Sequence, residues 1–179
     1  MNNMENYLNT MLIAPNKVKA FGTINLNVSD DTIATAIRTA QNVYLADVIG
    51  LECVQHLQQL VHNKITGSGT SIDEEEAYKD LLDNYITPCL VYRTAVELST
   101  ILTLKIRNMG VVKNSDINVN QTTSGELKYL ADYYKTLYYD AVNKMVAFIC
   151  ENTKSFKDSK IECTCGSKPL YANSDLYLG

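Results

Sequence analysis

What this chain of 179 residues lacks narrows its function before any motif is sought. It has no run of about eighteen apolar residues, so no segment is expected to cross a membrane as a helix. The opening stretch MNNMENYLNTMLIAP has neither a basic start nor a long apolar core, and no signal peptide is expected there. Only two histidines occur, His56 and His62, and no organised set of carboxylates accompanies them, which leaves little for acid–base catalysis. Nucleophile elbows, phosphate-binding P-loops and dinucleotide glycine patterns are all missing. So is any excess of lysine and arginine. The formal net charge is −4, whereas a general nucleic-acid binder needs surplus cations to displace counterions. No enzymatic activity is expected.

The five cysteines, Cys53, Cys89, Cys150, Cys163 and Cys165, are odd in number and irregular in spacing. Three of them sit on helical apolar stretches, where a free thiol behaves as a small hydrophobe. This usage fits a reducing cytoplasm better than a disulfide framework. Cys163 and Cys165 form a CxC pair, but structural zinc takes four ligands and no second CxxC or CxxH supplies the others. His56 and His62 lie six positions apart on one helix and so face different ways. No metal and no other cofactor is expected. The acidic run from Asp73 to Glu76 reads as the solvated first turn of a helix, where the dipole favours carboxylates.

What the chain does have is helical period. From Ser124 to Asn152 it reads SGELKYLADYYKTLYYDAVNKMVAFICEN, with no proline. Ser124 is placed to start this helix and Glu126 to complement its dipole. Leu127, Leu130, Tyr134, Leu137, Ala141, Met145 and Phe148 recur in steps of three and four and make one continuous face. A second row, Ala131, Tyr138, Val142 and Ile149, lies beside it. A buried face this wide needs several neighbours. At 1.5 Å per residue the helix is about 40 Å long, enough to serve as the spine of a small domain. Asp132 and Asp140 fall on its polar side, within reach of Lys128, Lys135 and Lys144.

The chain contains twelve tyrosines, and five of them fall in this one helix: Tyr129, Tyr133, Tyr134, Tyr138 and Tyr139. They point around much of its circumference, more than one core can bury. Tyr129, Tyr133, Tyr138 and Tyr139 are therefore expected at a subunit interface, where an amphipathic ring suits a half-buried surface.

Three parts are expected: an N-terminal arm over 1–28, a helical domain over 29–154 and a polar tail over 155–179. Ile24, Leu26 and Val28 alternate with asparagines, so the arm reads as a strand or an extended segment for contact with another subunit. Ser29-Asp30-Asp31 opens a first helix to about Val48, and Gly50 is placed to stop it. A second helix runs from about Glu52 to Lys64, and TGSGTS follows as a flexible loop. A third begins at Asp73 and ends near Tyr85. Thr87 and Pro88 read as the cap and first residue of a fourth, which Gly110 ends. Residues 111–123 break the period and predict a short β-hairpin or an extended loop. The tail carries scattered anchors, among them Phe156 and Ile161. The fold class is thus mostly α: a bundle of about five helices with a long tyrosine-rich last helix and extended ends.

The order of segments adds a resemblance. IRTAQNVYLADVIGLECVQHL (37–57), YKDLLDNYITPCLVYRTAVEL (78–98), KIRNMGVV (105–112) and the long tyrosine-rich helix together resemble the head–tail connector proteins of tailed bacteriophages. The version most resembled occurs in phages and prophages of Bacteroidales, including crAss-like phages. The resemblance covers about residues 20–155. It implies a virion protein of the phage neck that forms a ring, commonly of twelve copies, beneath the portal. Such a ring joins portal to tail, meets further neck or tail proteins and extends the channel for genomic DNA, without sequence-specific binding and without a membrane. Its place is the head–tail interface of the virion, after assembly in the host cytoplasm. The resemblance brings no catalytic residue. An acidic subunit suits a conduit through which DNA slides. The rival reading is a small helical protein-binding module of non-virion function.

Overall fold

The computed structural model describes residues 7–21, 28–108 and 124–163. Among them are five helices and no strand. Helix α1 is Pro15–Phe21, preceded by a 3-10 turn at Tyr7–Asn9. Helix α2 is a continuous rod made of Asp30–Thr39, a π-helical turn Ala40–Leu45 and Ala46–Ile49. Helix α3 is Leu51–Thr66. Helix α4 joins Glu76–Asp80, a second π-helical turn Leu81–Ile86 and Thr87–Asn108. Helix α5 is Ser124–Glu151, at 28 residues the longest single segment. The expected mostly-α bundle is present. Gly110, the stretch 111–123 and residues 164–179, with Cys165, lie outside the described residues.

Helix α4 lies along α5 and also packs against α2. Ile33 and Ile37 of α2, Leu57 of α3, Leu81, Ile86, Leu90 and Leu98 of α4, and Met145 and Ile149 of α5 are almost wholly removed from water. Both apolar rows of α5 contribute, Tyr134, Ala141 and Met145 from one and Tyr138, Val142 and Ile149 from the other. Arg93 and Glu97 on α4 pair at 2.5 Å with little exposure, and the Arg93 guanidinium lies 3.3 Å from the centre of the Tyr44 ring.

The five helices are not the five that periodicity predicts. Pro88 does not begin a new helix, because α4 runs through it. An internal proline has no N–H to donate, and its ring presses on the carbonyl four residues back. Here the ladder has already changed register before Pro88 is reached. The Thr87 N–H donates to the Leu82 carbonyl five residues back, closing a π-type turn. The predicted third and fourth helices are therefore one.

The fifth helix comes from the segment expected to be an arm. Residues 15–21 are helical, and Leu12, Ile13 and Val18 are buried in this chain's own core; Ile24 and Leu26, which carry the strand reading, lie outside the described residues. Two buried glutamines hold the segment before α1. Gln41 accepts from the Leu12 N–H at 2.8 Å and donates to the Thr10 carbonyl at 3.2 Å. Gln58 donates to the Leu8 and Thr10 carbonyls at 2.8 and 3.0 Å. Irregular backbone buried in this way needs such partners, since it has no ladder of its own.

Gly50 does separate two helices, as its place in the sequence predicts. Its φ of +95° suits glycine, and a Cβ there would stand 3.3 Å from the Lys160 backbone nitrogen and 3.2 Å from the Lys160 Cβ. Gly50→Ala is expected to cost about 1–3 kcal/mol, read as a lower urea midpoint. The close approach of Lys160 places the end of the described chain against the α2–α3 junction.

Candidate functional site

Two features stand out on this framework: the outer face of α5 and a strap that follows it. The strap comprises residues 152–163, the start of the segment expected to be a polar tail. It turns back from α5 and lies against α3 and α4. Phe156 is 3 % exposed and sits edge-on to Tyr78, with ring centres 5.1 Å apart. The Lys160 N–H donates to the Ile49 carbonyl at 3.0 Å. Asp158 accepts from the Tyr78 hydroxyl at 2.6 Å and from His56 Nδ1 at 2.9 Å. Cys150 and Cys163 are joined by a disulfide with Cα atoms 5.3 Å apart, which ties the end of the strap to the last turn of α5.

This corrects the reading of all five cysteines as thiols. Cys53 and Cys89 are free and buried, but Cys150 and Cys163 are bonded to one another. In the expected CxC pair, Cys163 is therefore already committed to sulfur. No group of three or more His, Cys, Asp or Glu side chains that could hold a metal occurs among the described residues.

Cys53, His56 and Asp158 meet in one cluster, and such a trio invites comparison with a catalytic triad. Its geometry does not favour that chemistry. Cys53 is fully buried, and burial first, then the Asp158 carboxylate, push its thiol far above the usual range. The nucleophilic form of cysteine is the thiolate, which this setting disfavours. Tyr78 is likewise pushed up, first by burial and then by its hydrogen bond to Asp158. What the cluster does is hold the strap with charge-assisted hydrogen bonds. The sequence marks Phe156 beside it as an anchor and notes Cys53 and His56 singly, with no sign that they meet. Asp158 carries no periodic signal.

The four tyrosines assigned to an interface divide. Tyr129 and Tyr133 are 77 % and 53 % exposed. They lie four residues apart and so share one face of α5. Tyr138 is 6 % exposed and belongs to the core, with the Arg93 guanidinium 5.8 Å from its ring centre. Its assignment to a subunit surface is corrected: α4 supplies the neighbour that counting positions around one helix leaves out. Tyr139 is half-buried, beside Tyr138 and within 6.0 Å of Lys135 Nζ. Tyr133 stands at 65° to the buried Tyr134 ring, with ring centres 5.6 Å apart. Tyr134 in turn stacks on Tyr92 of α4. The polar side of α5 is conventional, with Asp140 paired to Lys144 at 2.7 Å. Asp73 is not in a helix: it precedes α4 and bridges Lys64 and Lys79 at 2.9 and 3.0 Å, hydrogen bonds that lower its carboxyl.

The architecture is thus that of an α-helical domain closed at both ends by its own flanking segments, with an aromatic ridge on its last helix. Residues 45–169 match a family described as a Family of unknown function (DUF6712), and the chain belongs to that family. The matched span takes in α3, α4, α5 and the whole strap. No curated protein and no solved structure matches the chain.

Proposed function

We propose that this chain is a structural subunit of the neck of a tailed phage, and that copies of it form a ring, of twelve in the commonest arrangement, between portal and tail. The observation that carries the proposal beyond sequence resemblance is the aromatic ridge. Tyr129 and Tyr133 project from one face of the last helix while their neighbours Tyr134 and Tyr138 are buried in the core. Paired tyrosines on a rigid helix are what a protein interface uses as anchors. A ring needs a head-to-tail contact that closes by rotation, and a ridge on one side of a subunit supplies half of one. The role calls for no catalytic residue, cofactor or membrane. Its partners are further copies, the portal protein and neighbouring neck or tail proteins, with genomic DNA passing through the lumen. Assembly takes place in the host cytoplasm. On this reading the Cys150–Cys163 bond closes after lysis, because disulfides persist in oxidising surroundings.

The test is co-sedimentation with the portal protein of the same genome, followed by negative-stain imaging. Added ring density below the portal is the expected result. The Tyr129→Ser, Tyr133→Ser double variant is expected to keep its stability within about 0.5 kcal/mol, since both rings are exposed, and to lose the ring density. A folded double variant that still assembles would remove the ridge from the interface. A wild-type chain absent from purified virions would favour the small protein-binding module instead.

A further inference from the structure

A cleft of about 300 Å³ opens where the segment before α1 meets the end of α3 and the start of α4. Its floor is apolar, formed by Leu12, Ile13, Ile72 and Leu82, all buried. The size is at the small end for a ligand site, right for one or two large side chains. The rim is charged. Asp73 bridges Lys64 and Lys79, and Asp83 lies close enough to support the charge on Lys79. Lys17 is the remaining cation, exposed at the mouth and without an ion pair among the described residues. An apolar floor beside one unanswered cation fits a chain segment that joins an acid to large apolar side chains.

This sequence contains such a segment. Beyond Cys163 it continues TCGSKPLYANSDLYLG, in which Asp175 is followed by Leu176, Tyr177 and Leu178. None of the other stretches outside the described residues joins an acid directly to three apolar residues. We propose that residues 174–178 of one copy dock in this cleft of the next, with Asp175 against Lys17 and the apolar side chains on the floor. The proposal rests on the ring reading, which is what favours the neighbour's cleft. The twelve residues from Cys163 to Asp175 reach at most about 40 Å, and the experiment separates a copy's own cleft from its neighbour's. An exchanged tail is directional, as a closed ring of head-to-tail contacts requires.

The probe is a fluorescein-labelled peptide, ANSDLYLG, titrated into the full chain and followed by anisotropy. Saturable binding is expected. Lys17→Glu should weaken it at least about tenfold, an Asp175→Lys peptide should do the same, and the two changes combined should restore it. Lys17 is exposed, so the variant's fold is unaffected and serves as its own control. Two results would overturn the proposal. One is no saturable binding to the wild type or to a chain whose residues 174–178 are replaced by Gly and Ser. The other is binding to the replaced chain alone, which would mean that the tail fills its own cleft. Failure here with the portal co-sedimentation intact removes tail exchange and leaves the neck role. Peptide binding without co-sedimentation does the reverse.

Discussion

Phe156→Ala is expected to destabilise the chain by about 3–5 kcal/mol, the largest effect of any single truncation outside the helices. The ring is almost wholly buried, edge-on to Tyr78 and 5.8 Å from Phe148. Removing it deletes apolar area and leaves a cavity between strap and bundle that the disulfide keeps from collapsing freely. Domains of this size are stable by only about 5–15 kcal/mol, so the loss is a large share of the total. A urea titration followed by circular dichroism gives the number. Lys157→Ala, at the exposed position next door, should fall within about 0.5 kcal/mol of wild type. If the two variants unfold together, the strap is not part of the cooperative unit.

The second large effect is a steep loss of stability at alkaline pH. Burial pushes the Cys89 thiol up to about 12, and Cys53 and Tyr78 are raised as well, each by burial first and then, for these two, by Asp158. In the unfolded chain a thiol titrates at its ordinary value of 9.0. Above that pH the native state holds protons that the unfolded state has lost. Stability therefore falls as pH rises, and the contribution is fully present below about pH 9. Each buried thiol gives a slope of about 1.4 kcal/mol per pH unit, so the pair gives roughly 2.7, with Tyr78 joining at higher pH. Urea midpoints measured at intervals from pH 7 to 11 should be flat and then drop. Cys89→Ala should halve the slope just above pH 9, and an unchanged profile in that variant would show that other groups govern the alkaline limb.

Helix α5 is legible in the sequence because its two apolar rows repeat at helical spacing over many turns, and both contribute buried residues to the core. Gly50 is legible for a similar local reason: one position must leave the helical region. What local pattern does not reveal is whatever depends on residues far away in the chain. Leu12 and Ile13 look like a polar arm's stray apolar residues until Gln41 and Gln58 answer the backbone beside them. Asp158 looks like one more solvated acid until Tyr78 and His56 arrive, from 80 and 102 positions away. Pro88 misleads for a different reason. The rule that proline starts helices is sound for α geometry, and a π-helical turn is the uncommon device that sets it aside. The site follows the same division: exposure of Tyr129 and Tyr133 agrees with a single-helix view, and burial of Tyr138 needs the second helix to be seen.

Helix α3 is clasped by both flanks of the chain, Gln58 taking the segment before α1 and His56 the strap after α5. On the ribosome those two events are far apart in time. The first clasp is available early, but the second waits until Asp158 has emerged, 102 residues after His56. At about 5–20 residues per second, the nascent chain spends several seconds with one side of α3 bare. Cys53, whose thiol is influenced by Asp158 of the strap, is expected to stay open to reagents until the strap closes. Accessibility of Cys53 to a thiol reagent is therefore a clock for the completion of synthesis and folding, readable on arrested chains of increasing length.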